Sequence, residues 1–483
     1  MKPQNLLFLF SDQHSRKALG CYGHPLVKTP YLDQLASEGT LFKNAYCNSP
    51  ICVPARGALA TGRYVFETGY WDNAKAYEGS LPSWHHRLNS KGNRCESIGK
   101  LHFRSSNDPT GFAESHLPMN IVGGVGDLLG SLRDGTARLR KYRSYIHNSG
   151  PGNSTYIDYD RQITDSAVEW LKTSAAKYSD QPWVLFVSLV CPHPPIIAPE
   201  EFYKLYPLKD ISLPHPFEPG KHTDHPYLRD IRDFLGLNEG FKEEEILRSI
   251  AAYYGQCSYL DSNLGRILNA LEENGLRSST RILYSSDHGE SNGNRGIWGK
   301  SNMYEEAVGV PMILSGQDVP KGNTIETPVS LVDCFPTILE CVGQELTDED
   351  HVLRGRSLFK IANGEDTDRI AFSEFHAAGS RTAFYMVRHG PNKLVHFVDY
   401  PNQLFDLNKD PDEMENLSGN PVFDDIETSL SRKLHQLMDP VMTHKLARKD
   451  QLSRIAAAGG REVILDRGSF GYTPAPGEAV RYQ

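Results

Sequence analysis

This chain of 483 residues lacks two features, one typical of membrane proteins and one of nucleic-acid-binding proteins. No window approaches the roughly 18 to 20 uninterrupted apolar residues that cross a bilayer. Lysine and arginine form no cluster, and the formal net charge is -9, so no basic surface is offered to phosphate-rich partners. We therefore expect neither a nucleic acid nor a membrane as partner, and an anionic substrate would need positive charge within its own site.

Paired cysteines are also missing. The eight cysteines are scattered and form no C-x-x-C pair, and a chain of this size does not need disulfides for stability. The first apolar run, residues 5–10, is too short for the hydrophobic region of a signal peptide. Both features favour reduced thiols and a cytoplasmic location.

The order of apolar segments predicts an α/β fold. From residue 5 to about 340, short β-branched or aromatic runs alternate with longer helical patterns, which is typical of a large, mostly parallel sheet sandwiched by helices. From about 350, alternating segments separated by tight turns predict a smaller C-terminal α+β domain on an antiparallel sheet. The predicted units are an α/β domain over residues 1–350, the antiparallel subdomain over 351–447, and a C-terminal arm over 448–483.

Polar side chains follow the predicted strands of the first domain. Asp12, His193, Asp287 and His288 come just after apolar runs, and the carboxyl ends of parallel strands meet at the edge where α/β sheets bind ligands. The carboxylates and the imidazole could bind a divalent metal ion. Taken alone, Asp287-His288 is better explained as a capped turn and Asp12 as a turn or helix cap, and a loop histidine such as His193 is more often a surface residue than a catalyst.

Cys52 begins a predicted helix. Pro54 suits the first turn of a helix that ends at Gly62, so the thiol would lie where free amides and the helix dipole favour an anion and lower a thiol's pKa. Arg56 lies one turn on, on the same face. The alternative is a small buried hydrophobic residue, which is the commoner fate of a cysteine.

The longer string around this cysteine carries a family resemblance. Residues 52–63, CVPARGALATGR, resemble the sulfatase signature C-x-P-S/A-R-x-x-L-x-T-G over its full length. Residues 92–102 look like a second family motif, G-Y-x-x-x-x-x-G-K-x-H, with Asn93 in place of the aromatic. Further ordered matches extend from residue 5 to about 420. Gln13 and His288 make the chain most similar to the choline sulfatase and phosphonate monoester hydrolase branches.

The resemblance implies an alkaline-phosphatase-like fold and a sulfuric ester hydrolase. It implies that a formylglycine-generating enzyme oxidises Cys52 to formylglycine (3-oxoalanine), whose hydrate attacks a small anionic ester. It implies one divalent ion, Ca²⁺ or Mn²⁺, held by Asp12, Gln13, Cys52, Asp287 and His288. The implied catalytic residues are Cys52 as nucleophile precursor, His102 as base, His193 as acid at the leaving oxygen, and Arg56, Lys100 and Lys300 as cations facing the anion.

Two other functions stay open on the sequence. The same nucleophile could cleave a phosphonate monoester or a phosphodiester, or the chain could be a non-catalytic metal-binding relative, although the complete proton-transfer set argues against the second. Tyr70, Trp71 and Trp84 could form an aromatic cage for choline or could equally be core. The C-terminal arm suggests contacts within a homo-oligomer.

Overall fold

The computed structural model describes residues 2–139, 141–178, 180–214 and 224–482. Within them the strands are β1 (Asn5–Asp12), β2 (Gly39–Phe42), β3 (Ala45–Tyr46), β4 (Cys95–Lys100), β5 (Glu114–Met119), β6 (Gly150–Pro151), β7 (Val184–Pro192), β8 (Ile197–Ala198), β9 (Thr280–Ser286), β10 (Met312–Ser315), β11 (Asn323–Ile325), β12 (Val329–Ser330), β13 (Ile370–Phe375), β14 (Phe384–His389), β15 (Asn392–Phe397) and β16 (Gln403–Asp406).

The helices of the same residues are α1 (Pro30–Ser37), α2 (Cys52–Thr61), α3 (Val65–Thr68), α4 (Trp84–Ser90), α5 (Lys141–His147), α6 (Thr155–Thr173), α7 (Glu200–Tyr203), α8 (Pro226–Leu235), α9 (Glu243–Glu273), α10 (Glu305–Val308), α11 (Cys334–Cys341), α12 (Leu358–Ala362), α13 (Asp424–Leu437), α14 (Pro440–Ala457) and α15 (Arg461–Arg467). No helix in the described part of the chain is both long and apolar enough to span a bilayer.

An eight-stranded sheet forms the centre of the molecule, in the order β11-β2-β10-β9-β1-β7-β4-β5. From β9 to β5 neighbouring strands pair in parallel, whereas β10 is antiparallel to both of its neighbours. The prediction of a mostly parallel sheet is confirmed.

Both faces of the sheet are covered by helices. Alternate residues of β1 point to opposite faces, as the pleat of a strand requires. Leu7 and Leu9 belong to the apolar cluster formed with α1, α6 and the C-terminal half of α9. Phe8 and Phe10 belong to the cluster formed with α2, α4, α11 and the N-terminal half of α9. Burial on both faces explains why β1 is a continuous apolar run.

A separate antiparallel sheet, β13-β14-β15-β16, follows towards the C terminus and packs against α13 through Leu430 and Leu434. This confirms the predicted smaller C-terminal α+β unit. The proposed boundaries after residues 350 and 447 stay predictions. The segment expected to be an arm is partly helical, because α14 runs through residue 448 and α15 follows it.

Candidate active site

The site lies where four neighbouring strands of the large sheet end. Asp12 is the last residue of β1 and Lys100 the last residue of β4. Asp287 and His288 follow β9, and His193 follows β7. These strands adjoin in the order β9-β1-β7-β4. The structure therefore brings the predicted residues together at one sheet edge.

Cys52 enters this edge from the N-terminus of α2. The helix is fully buried and ends at Gly62 in a left-handed conformation, as the sequence predicts. Asn73 accepts the backbone N–H of Val53 at 3.1 Å. The thiol is buried, and burial, followed by the charge of Asp12, raises its pKa to about 11. This direction is opposite to the one expected from the helix N-terminus, because burial and Asp12 disfavour the thiolate. At neutral pH, Cys52 is a protonated thiol and a weak nucleophile.

Four side chains form a compact set of metal donors. One donor atom each from Asp12, Cys52, Asp287 and His288 lies within 4.8 Å of all the others. His288 Nε2 is 3.2 Å from Cys52 Sγ and 3.5 Å from Asp287 Oδ1. Burial and the charge of Lys300 lower the pKa of His288 well below its usual value. The ring is therefore neutral, and its nitrogen can bind a cation.

The two carboxylates make this set suitable for a divalent ion. Burial alone would raise the pKa of Asp12, but Lys100 and nearby cations outweigh it and hold that pKa well below its usual value. Burial and the adjacent Asp12 raise the pKa of Asp287 to about 7. The two buried carboxylates supply hard oxygen donors, which divalent ions bind, and the neutral imidazole adds one borderline nitrogen donor.

Three cations surround the carboxylates. Arg56 bonds Asp287 through Nε at 2.9 Å and Asp12 through Nη2 at 3.3 Å. Lys100 Nζ is 2.7 Å from Asp12 Oδ2, and Lys300 Nζ is 2.9 Å from Cys52 Sγ. These three side chains carry one more unit of charge than the two carboxylates can cancel. A bound divalent ion would increase that excess, so the site favours an anionic ligand.

Gln13 lies beside this set, with its amide group already engaged. Its Oε1 accepts a hydrogen bond from Lys300 Nζ at 2.8 Å, and its Nε2 donates to Glu290. Its backbone has a positive φ of 69°, a strained conformation of the kind found at functional sites. A place for Gln13 among the metal ligands stays a prediction.

The two histidines predicted for proton transfer line one cavity with Cys52 and Lys300. Burial, followed by Lys100 and Arg56, lowers the pKa of His102 well below its usual value. Burial and Lys300 do the same for His193, whose Nδ1 lies 2.7 Å from the carbonyl oxygen of Pro194. Both rings are neutral at pH 7, so either could accept a proton, and His193, whose Nδ1 proton faces the carbonyl oxygen of Pro194, could donate one from Nε2 only after that nitrogen is protonated.

The remainder of the cavity wall is largely aromatic and aliphatic, and the sequence did not reveal it. The lining residues outside the predicted set include Asn73, Leu139, Tyr142, Tyr145, Phe234, Phe470, Tyr472 and Thr473. They come from loops and helices far apart in sequence, without a shared motif or period that could have identified them. Tyr70, Trp71 and Trp84 are buried in the core instead and do not line this cavity.

Two family models match the chain. The model described as Sulfatase matches residues 4–344, and the model described as N-sulphoglucosamine sulphohydrolase, C-terminal, matches residues 293–440. The first covers the large sheet and every residue predicted to act in catalysis or metal binding, and the second includes the antiparallel sheet.

Curated relatives are similar over most of their length. The chain is 30% identical over 430 residues to a choline-sulfatase of Rhizobium meliloti, covering 86% of this chain and 83% of the relative. It is 30% identical over 464 residues to human arylsulfatase K, covering 91% of this chain and 83% of the relative.

Solved structures share the fold. One, in complex with its substrate D-glucosamine-2-N,6-O-disulfate, superposes with a TM-score of 0.74 at 22% identity and covers 93% of this chain and 99% of its own. The phosphonate monoester hydrolase of Agrobacterium radiobacter superposes with a TM-score of 0.72 at 22% identity and covers 90% of this chain and 95% of its own.

Proposed function

The chain belongs to the sulfatase family, and on that premise we propose that it hydrolyses a sulfate monoester, using a divalent metal ion and a formylglycine made from Cys52. The observation that carries this proposal is the position of Cys52 among Asp12, Asp287 and His288 and next to Lys300. A thiol with a pKa of about 11 is protonated at neutral pH and would make little use of these neighbours. An oxygen nucleophile at the same position would make use of them, because it would lie next to a metal ion.

Each bound group supplies one kind of chemistry. A divalent ion held by Asp12, Asp287 and His288 would act as a Lewis acid on the nucleophile and on a sulfate oxygen. Oxidation of Cys52 to an aldehyde would, after hydration, supply hydroxyl groups in place of the thiol. Since Cys52 is 1% exposed in the folded chain, the partner enzyme that oxidises it must act before folding is complete.

The surrounding side chains then bind the ester and move protons. Lys100, Lys300 and Arg56 compensate the charge of the sulfate oxygens. Nδ1 of His193 donates to the carbonyl oxygen of Pro194, so His193 acts as an acid once Nε2 is protonated as well, and it then gives the Nε2 proton to the oxygen of the departing alcohol, which is a poor leaving group without it. His102 accepts a proton from the second hydroxyl group at position 52; the bond between the carbon of that residue and the sulfate oxygen then breaks, sulfate departs and the aldehyde forms again.

Phosphonate monoester or phosphodiester hydrolysis is the second candidate. His288 supplies a nitrogen to a donor set that holds two carboxylates, those of Asp12 and Asp287. With few carboxylate ligands, more of the metal ion's positive charge is left to be balanced by the substrate. Manganese would then be preferred to calcium.

The test compares three substrates with the same aryl alcohol: a sulfate monoester, a phosphonate monoester and a phosphodiester. We expect the sulfate to have the highest kcat/KM, the peptide containing residue 52 to show the aldehyde by mass spectrometry, and chelation to abolish turnover. Cys52→Ala should lower kcat by at least about a thousandfold, while Cys21→Ala, outside the site, should leave it unchanged. Dominant phosphonate turnover would establish the second candidate, and a fully active Cys52→Ala variant would overturn the mechanism.

A further inference from the structure

A segment near the C terminus closes one side of the cavity. The helix α15 ends at Arg467. Residues 469–473, here called the strap, follow it and pass along the cavity. Phe470, Gly471, Tyr472 and Thr473 all line the same cavity as Cys52 and His193. The site is therefore completed by residues more than 400 positions from Cys52 in the sequence.

The strap contacts the predicted base directly. Thr473 Oγ1 lies 2.9 Å from His102 Nε2, within hydrogen-bond distance. The other ring nitrogen, Nδ1, is buried and has no partner among the described residues. His102 is 5% exposed and lines the cavity, and Nδ1 is the ring nitrogen that no group of the described residues engages.

Independent contacts fix the position of Thr473. Tyr156, on α6, donates its hydroxyl to the carbonyl oxygen of Thr473 at 2.5 Å. The ring of Tyr472 packs against Tyr156 and Tyr145, with centroid distances of 5.2 Å and 6.3 Å. At the other end of the strap, Ser469 donates to Asp127. The hydroxyl of Thr473 is thus held at a defined place instead of lying at the end of a free tail.

We propose that Thr473 is a positioning residue that fixes the tautomer of His102: its hydroxyl oxygen accepts a hydrogen bond from Nε2–H, so that Nδ1 stays unprotonated and is the basic nitrogen of the ring. This inference rests on the proposed function. A neutral imidazole carries one N–H, and the hydrogen bond at one nitrogen decides which nitrogen is basic. The opposite tautomer would leave a buried N–H at Nδ1 without an acceptor among the described residues.

The kinetic signature of this role differs from that of a cavity defect. His102 takes its proton during the release of sulfate, after the alcohol has departed. A loss of basicity at Nδ1 therefore slows a late step and lowers kcat, whereas kcat/KM reports only the steps up to departure of the alcohol. A merely structural loss at the strap would change substrate binding and kcat/KM as well.

The closing experiment uses Thr473→Val, which keeps the shape and removes the hydroxyl, in the full-length, formylglycine-containing enzyme. We expect kcat to fall about 10- to 100-fold, within the range of general-base effects, with kcat/KM within about twofold of wild type. Thr473→Ser should restore kcat. Thr443→Val, on α14 and away from the cavity, is the matched control and should behave like wild type.

A second readout does not depend on activity. In metal-free Cys52→Ala protein, ¹⁵N NMR of the imidazoles, with the His102 signal identified by its loss in His102→Gln, should show the proton on Nε2. Adding Thr473→Val should shift that proton towards Nδ1. A proton on Nδ1 in the parent, or wild-type kcat in Thr473→Val, would overturn the role of Thr473. Failure of the proposed function would appear separately, as turnover that persists in Cys52→Ala.

Discussion

At the scale of single residues, Arg56 combines positive charge with several directed hydrogen bonds, and a substitution by lysine could separate the two. Its three guanidinium nitrogens bond Asp12, Asp287, the carbonyl oxygen of Lys100 and the hydroxyl of Ser188. Such a planar fork fixes two carboxylates relative to each other, and an ammonium group cannot reproduce it. Arg56 therefore acts on the orientation of the metal donors as well as on charge.

We predict that Arg56→Lys weakens metal binding while keeping the charge of the site. Groups that orient metal ligands typically change metal affinity by about 10- to 100-fold when they are replaced. The affinity is measured by titrating Mn²⁺ or Ca²⁺ into metal-free protein in a calorimeter at one pH. Arg161→Lys, on the exposed side of α6, is the matched control. An unchanged affinity in Arg56→Lys would show that only the positive charge matters.

At the scale of elements, the end of β4 shows why the Gly-Lys-x-His motif needs its glycine. Gly99 has a φ of +96°, and a Cβ there would lie 2.3 Å from the carbonyl oxygen of Ser188 in β7. The pairing of β4 with β5 shifts register between Ile98 and Lys100. This irregularity turns the chain so that the side chain of Lys100 reaches Asp12 instead of the sheet face.

We predict that Gly99→Ala is much more destabilising than Gly23→Ala. Gly23 has nearly the same φ, +94°, but a Cβ there would meet nothing within 4 Å. Both variants incur the left-handed cost of about 1–2 kcal/mol, and Gly99→Ala adds roughly 1–3 kcal/mol of overpacking. Urea unfolding monitored by circular dichroism gives both values. If the two variants lose equal stability, the close approach of β4 to β7 has no energetic consequence.

The sequence predicted those elements whose signals are local. β1 and β7 are largely apolar, β9 has an apolar centre at residues 282–284, and polar residues lie at or just after the end of each strand. The helix α2 has Pro54 near its start and Gly62 at its end. The direction of β10 could not be predicted, because a buried four-residue strand has the same pattern in a parallel and in an antiparallel pairing. Much of the candidate site could be predicted because the ends of strands are local signals. Thr473 could not be predicted, because it lies 371 residues from His102 and belongs to no motif.

At the scale of the whole molecule, buried charges join the two sheets. Glu305, on α10, contacts Lys393 of β15 at 2.7 Å and Arg388 of β14 at 3.6 Å. It also pairs with Arg16, which follows β1, and accepts the hydroxyl of Tyr46 at 2.9 Å. Removing one member of such a buried set leaves charges unpaired, which typically costs about 3–5 kcal/mol.

The pKa of Glu305 makes this connection sensitive to acid. Burial alone would raise the pKa, but Lys393, Arg16 and Arg388 outweigh it and hold the pKa well below its usual value. A carboxyl group whose pKa is depressed by folding contributes stability above its unfolded value of about 4.3, and that contribution is lost as the pH falls towards the folded value. The free energy of unfolding should therefore lose the contribution of Glu305 progressively as the pH falls below about 4.

We predict that Glu305→Gln lowers the free energy of unfolding by several kcal/mol near neutral pH, and that the difference from wild type shrinks as the pH falls from about 4.5 towards 3. Urea unfolding of metal-free protein at these pH values measures it without a contribution from metal binding. Glu326→Gln removes an exposed pair with Lys43 and should change stability by less than about 1 kcal/mol throughout. If Glu305→Gln lost as much unfolding free energy at about pH 3 as at about pH 7, the charge of Glu305 would not be the cause. The side chain would then contribute mainly through packing.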